Sequence, residues 1–379
     1  MLIEIRGVSF KNKGSELMLR SIVTKLREKI PNINLLMVNP LTDSICSKRV
    51  DLGFHRKLCF QIYGSQWGFG GALIPKALRQ KYHMVLDSEV DVVLDASGFA
   101  YSDQWGTRAT IAASKVIRKW KEQKTKVILM PQAFGPFTGK KIQSAFKIIV
   151  ENSDLIFARD QHSYKHVTQL VGKREHIRIA PDFTNLINGD LSHDFDMDSN
   201  RFCIIPNYRM IDKTINEERD LYIPFLINCV KYLYEKGANP FILIHEGDKD
   251  LWIGKEIEKR IGQKINIIHE SNALKIKGII GVSEGVIGSR FHGLVSALSQ
   301  GIPALAAGWS HKYEMLFEDY GFPDGILMVK SSYHEIQQKI DMLLSNIEKQ
   351  KIKKKLIDQG IIQKQLSSIM WDTIFNQLL

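Results

Sequence analysis

The chain has no apolar run long enough to cross a bilayer. Its longest apolar stretches, such as Lys126–Pro131 and Phe202–Pro206, are strand-sized, against the roughly 20 residues a membrane helix needs. The first of its apolar runs, Met1-Leu-Ile-Glu-Ile-Arg6, already carries charge, which predicts the absence of a signal peptide. Cysteine is scarce. Cys46, Cys59, Cys203 and Cys229 form no C-x-x-C pair, so reduced thiols in a cytoplasmic protein are expected rather than a zinc or disulfide framework. Heptads, solenoid repeats and low-complexity tracts are missing, as is any legible RNA- or DNA-binding module.

Several ligand motifs also fail. Gly68-Phe-Gly70-Gly71 lacks the last glycine of G-x-G-x-x-G and follows no strand. In Gly135-Pro-Phe-Thr-Gly139-Lys140-Lys141 the first glycine is too close for a P-loop, and Lys141 stands where Ser or Thr is needed. His162 and His166 are four apart but lack an H-E-x-x-H frame and a third ligand, so no metal site is expected. Asp194-Phe-Asp196-Met-Asp198 has no strand before it and reads as a solvated acidic loop.

What remains is an ordinary globular composition: 379 residues, 25% charged and 44% hydrophobic. Lys and Arg number 52 against 41 Asp and Glu, a net charge of +11. Such an excess suits an anionic ligand, nucleic acid or a membrane surface. Short Ile- and Val-rich runs alternate with helical stretches. Strands are expected at 2–9, 33–38, 91–96, 126–131, 155–159, 177–180, 202–206, 240–245, 265–269, 279–282, 286–289, 303–306 and 326–329. Helices are expected at 14–30, 105–123, 139–151, 161–171, 217–236, 249–261, 291–300 and 312–319. Strands apolar on both faces and joined by helices imply parallel α/β sheets. The polar stretch 185–200 reads as a linker, and 331–379 as a helical tail.

The strongest segment is Gly285-Val-Ile-Gly-Ser-Arg290-Phe-His292-Gly293, continuing to Gly301-Ile-Pro303. A strand ends at Ser289 and a helix begins near Phe291, so Arg290 and His292 sit where free N–H groups attract anions. Arg supplies a planar fork for carboxylate or phosphate, and His a proton near neutral pH. The plainer alternative is a structural ion pair for Arg290 and a cap for His292. Leu155-Ile-Phe-Ala-Arg159-Asp160 delivers a second arginine to a strand end, with Asp160 as helix cap. The turn through Asn12, Gly14 and Glu16 offers a polar ligand site or an ordinary capped βα turn. Asp95 and Asp103, around Gly98, are candidate bases for a sugar hydroxyl or helix caps.

In order and spacing, these turns resemble the polysaccharide pyruvyl transferase family. The resemblance is carried by Arg290-Phe-His292-Gly293 with Ser296–Pro303, supported by Val92–Gly98, Gly135-Pro136, Ala158–Asp160 with Ser163, and Pro181-Asp182. It implies a GT-B-like α/β fold of two Rossmann-like domains facing across a cleft. The expected arrangement is 1–187 on the acceptor side and 200–330 on the donor side, with 331–379 packing back on the first domain. It also implies transfer of a pyruvyl group from phosphoenolpyruvate to a sugar, making a pyruvate ketal on a surface polysaccharide or its lipid-linked precursor, with no cofactor. Arg290 and His292 match the family's phosphoenolpyruvate ligands, beside Gly293, and Arg159 matches the facing arginine. Glu16, Asp95, Asp103 and Asp182 are candidates for activating the hydroxyl. Two departures lie on the expected acceptor side: Ser15-Glu16 where the family often has Asp, and Asp95-Ala-Ser-Gly98 where it often has a glycine-rich loop. The competing reading is a GT-B glycosyltransferase using a nucleotide sugar. The basic run Lys351–Lys355 suits either a solvated helix face or contact with an anionic membrane.

Overall fold

Val92–Asp95, Leu155–Ala158 and Phe202–Ile205 are buried at every position, which requires cover on both faces of a sheet. The computed structural model supplies it with two parallel sheets flanked by helices. It describes residues 1–37, 52–58, 60–62, 65–67, 69–214, 216–308 and 311–379. Cys46, Cys59 and Gly68 lie outside the described residues. The chain divides into two compact units: Met1–Phe10, Met18–Phe183 and Ile369–Leu379 form the first, Lys11–Leu17 and Thr184–Ser368 the second.

The first unit holds strands β1 (Leu2–Arg6), β2 (Asn34–Met37), β3 (Val92–Asp95), β4 (Lys126–Gln132), β5 (Leu155–Ala158) and β6 (Ile177–Ile179), in the order β6-β5-β4-β3-β1-β2. All pairings in this six-stranded sheet are parallel. Helices α2 (Arg108–Glu122), α3 (Lys140–Glu151) and α4 (Gln161–Val171) bury Trp120, Phe146 and Val167 in its core. Asp160 caps α4 by accepting the Ser163 N–H at 2.6 Å, in the role its position predicts. α1 (Lys13–Lys29) begins in the second unit and continues in the first.

The second unit holds β7 (Phe202–Ile205), β8 (Pro240–Ile244), β9 (Asn266–His269), β10 (Gly285–Gly288) and β11 (Ala304–Ala306), in the order β9-β8-β7-β10-β11. Every pairing is again parallel. The order reverses between β7 and β10, and ligands of open α/β sheets bind outside the strand C-termini at such a point. Around this sheet lie α5 (Asn216–Glu235), α6 (Gly247–Ile261), α7 (Ala273–Val282), α8 (Phe291–Leu298), α9 (Lys312–Asp319), α10 (Tyr333–Leu344) and α11 (Asn346–Leu378).

Three expectations change. Residues 279–282 end helix α7 instead of forming a strand. The helix is largely buried, and a short all-apolar run looks alike in a core helix and a core strand. Residues 326–329 contribute a single bridge, Ile326 to Ala306. Most of the helical tail belongs to the second unit, because Ile336, Ile340, Leu343, Ile352 and Leu356 complete that core. Cys203 and Cys229 are free thiols, and burial pushes both thiol pKa values up. Among the described residues no helix is long and apolar enough to cross a membrane.

Candidate active site

The C-terminal edge of the second sheet gathers the polar groups of that unit. β10 delivers Ser289 and Arg290, β7 delivers Asn207, and β8 delivers His245 and Glu246. Asn207 Nδ2 donates to Ser289 O at 2.7 Å, Tyr313 Oη to the same oxygen at 2.8 Å, and Tyr222 Oη to Ser289 Oγ at 3.0 Å. These bonds fix the turn that precedes α8. Gly293 lets that helix approach β7, since a Cβ there would lie 3.0 Å from Ile205 Cδ1.

Arg290 is buried, 7% exposed, and held by two carboxylates. Its Nε and Nη2 donate to Asp250 Oδ2 and Oδ1 at 3.0 and 2.6 Å, and its Nη1 donates to Glu246. The ion pair weighed against the ligand role is therefore present. Burial opposes the arginine's charge, but Asp250 and Glu246 outweigh it and raise the pKa. The two carboxylates differ in access: the Asp250 side chain is 0% exposed and that of Glu246 19%.

The turn at the start of α1, expected in the first domain, meets these groups as part of the second unit. Asn12 Nδ2 donates to Glu246 Oε2 at 3.1 Å, while Asn12 Oδ1 accepts the Ser15 N–H at 3.1 Å. Lys13 Nζ reaches Glu16 Oε2 and Ser271 O, both at 2.8 Å. A Cβ on Gly14 would stand 2.3 Å from His292 Nδ1, so the imidazole lies directly against the glycine backbone. Asn12, Gly14, Glu16, Arg290, His292 and Gly293 are thus brought into one neighbourhood.

The other expected residues belong to the first unit. Asp95 holds its own turn, accepting Ser97 N–H at 3.0 Å, Ser97 Oγ at 2.5 Å and Tyr101 Oη at 2.6 Å. Asp103 accepts the Thr138 N–H and Oγ1 at 2.7 and 2.9 Å. Neither caps a helix through its side chain. Arg159 and Asp182 are both buried and face each other, Nη1 to Oδ2, at 3.5 Å.

Sequence reading missed Lys13, His245, Glu246 and Asp250. The signal for the last three was available: His245-Glu-Gly-Asp-Lys-Asp250 follows an apolar strand and opens a helix. His245 is 5% exposed, and its Nδ1 has no hydrogen-bond partner among the described residues. Burial, followed by the charges of Arg290, His292 and Lys13, holds its pKa well below the usual histidine value. No group of three or more His, Cys, Asp or Glu suited to a metal occurs among the described residues.

Two α/β units, each a parallel sheet wrapped by helices, with a helical C-terminal tail, define a GT-B fold. Solved structures share it. The UDP-GlcNAc 2-epimerase from Neisseria meningitidis bound to UDP-GlcNAc matches with a TM-score of 0.64 at 11% identity, over 99% of this chain and 100% of that one. A putative UDP-N-acetylglucosamine 2-epimerase from Listeria monocytogenes matches at 0.64 and 11%, over 100% and 96%. The glycotransferase of kitacinnamycin matches at 0.53 and 10%, over 99% and 97%. At such identities the likeness is one of fold. No curated protein matches in sequence. The family model for polysaccharide pyruvyl transferase matches residues 12–311. The chain belongs to the polysaccharide pyruvyl transferase family, a family of transferases.

Proposed function

We propose that the protein moves a pyruvyl group from phosphoenolpyruvate onto two hydroxyls of one sugar, forming a cyclic ketal on a bacterial surface polysaccharide or its lipid-linked precursor. The proposed location is the cytoplasm. The observation that carries this reading is the Arg290-Phe-His292-Gly293 turn, which opens α8 at the switch point of the second sheet. Phosphoenolpyruvate bears a carboxylate and a phosphate close together. The first N–H groups of α8, Arg290, Lys13 and His292 suit such an anion. Asp250 would keep its grip on the arginine, while the more exposed Glu246 yields the Nη1 edge to the ligand.

In the proposed reaction an acid protonates the methylene carbon and positive charge develops at C2. A sugar hydroxyl adds there, phosphate departs, and the neighbouring hydroxyl closes the ketal. One hydroxyl proton balances the new methyl hydrogen, and the other leaves with phosphate. His245, kept neutral by its surroundings, is suited to orient a sugar hydroxyl through a hydrogen bond rather than to take its proton, and His292 to place a proton on the phosphate. Arg290 and Lys13 favour phosphate departure electrostatically. Arg159 and Asp182 are proposed as substrate-binding residues of the first unit, and Asp95 and Asp103 as the groups that shape its loops.

The test is phosphate release from phosphoenolpyruvate in the presence of candidate sugars. Sugar-dependent release supports the reading. A second reading, a glycosyltransferase with a nucleotide-sugar donor, draws support from the fold shared with the UDP-GlcNAc-bound epimerase. A melting temperature raised by a UDP- or GDP-sugar, and not by phosphoenolpyruvate, would favour that reading instead.

A further inference from the structure

Helix α11 is apolar on two sides. Ile352, Leu356, Met370 and Ile374 are buried, which accounts for one side. On the other, Ile357, Ile361, Ile362 and Leu366 are exposed by 53, 54, 45 and 43%. A helix that only had to cover a core would turn polar residues outward. At about 3.6 residues per turn, these four fall on the same half of the helix as Lys351, Lys354 and Lys355. Between positions 349 and 366 the chain has six lysines and a single acid, Asp358. Of these lysines, Lys351, Lys354 and Lys355 lie on the exposed half, with Asp358 among them, while Lys349 pairs with Glu284 and Lys351 with Glu348. The exposed face therefore joins an apolar row to a cluster of three lysines.

We infer that this face of α11 docks on an anionic lipid bilayer. A bilayer surface accepts both of its features. The isoleucines enter the boundary between headgroups and acyl chains, and the lysines extend to the anionic headgroups. A second copy of the chain fits less well, because a symmetric contact sets the same patch against itself and would bring the lysine clusters together. The net charge of +11 acts in the same direction by drawing the protein towards negative surfaces. This inference goes beyond the donor chemistry and does not depend on it.

The full chain is mixed with vesicles of phosphatidylcholine alone, or of phosphatidylcholine with phosphatidylglycerol, and sedimented. Cosedimentation with the anionic vesicles, weakening as salt rises, is expected. Two double variants, Ile361→Asp with Leu366→Asp and Lys354→Glu with Lys355→Glu, should each bind about tenfold more weakly. Both pairs are exposed, so circular dichroism and melting temperature should match the parent. The lysine pair keeps the test decisive should the aspartate pair fold poorly. Equal binding to both vesicle types, or unchanged binding by a folded lysine variant, overturns the inference. A dimer that the aspartate pair disperses also overturns it and assigns the face to a second copy.

Discussion

Asp250 grips Arg290 along its fork, accepting from Nε at 3.0 Å and from Nη2 at 2.6 Å. The same carboxylate accepts the backbone N–H groups of Tyr208 and Glu246, each at 3.0 Å. One buried acid thereby ties together the chain leaving β7, β8 and β10. Arg290 is a structural member of the second unit as well as the leading ligand candidate.

That double role sets the first prediction. Asp250→Ala leaves a buried guanidinium half-compensated and should cost about 3–5 kcal/mol. Replacing both residues, Asp250→Leu with Arg290→Met, should cost clearly less than the two single losses summed. Urea unfolding of the parent, Asp250→Leu, Arg290→Met and the double variant measures the coupling. Additive losses would show that the pair does not act as a unit.

Gly14→Ala should damage the site through one methyl group. The new Cβ would meet His292 Nδ1 at 2.3 Å, so the imidazole or the α1 turn must shift. Phosphoenolpyruvate affinity, measured by calorimetry, should fall about tenfold, with a stability loss of about 1–3 kcal/mol. Unchanged affinity in a folded variant would separate Gly14 and His292 from the ligand site.

His245→Leu is expected to lower turnover about tenfold, through loss of a hydrogen bond that orients the sugar, while leaving phosphoenolpyruvate affinity near that of the parent. The pH dependence of stability gives a second readout. The folded pKa of His245 is depressed, so the unfolded chain takes up a proton near about pH 6.5 that the folded chain refuses. Stability from this group is complete above that pH and lost as pH falls below it. The variant should lack that part of the acid-side decline, as thermal melts across this range would reveal.

Asp87 provides an independent test in the first unit. It pairs with Lys57 at 2.5 Å and with Lys119 at 2.7 Å, and accepts the Trp120 indole N–H at 3.0 Å. Burial pulls its carboxyl upward, but these partners prevail and lower its pKa to about 2. Its contribution, about 2 kcal/mol, is present above about pH 4 and lost as pH falls towards 2. Urea titrations of Asp87→Asn should show a flatter decline over that window than those of the parent.

Much of the architecture is legible in the sequence because strands and helices declare themselves locally. Phe202–Ile205 is a continuous apolar run between polar segments, and Gly301 stops α8 where a left-handed residue is needed, at φ 74°. The Arg290 turn is legible for the same reason, since strand, turn, arginine and helix are contiguous. Helix α7 is not, because its buried Ile279-Ile280 offers no polar face to set a period.

The sequence by itself determined an α/β chain with its family motif at a strand-to-helix turn, since each feature depends on neighbours within a few residues. Only the tertiary structure decided which groups surround that turn. Arg290 meets Asp250 across 40 positions, and Asn12 meets Glu246 across 234. Strand order put the turn at the switch point and set His245, a buried imidazole, close enough to feel the charge of Arg290. Side-chain periodicity reports which face of an element is buried. It carries no record of which distant carboxylate or imidazole will share that burial.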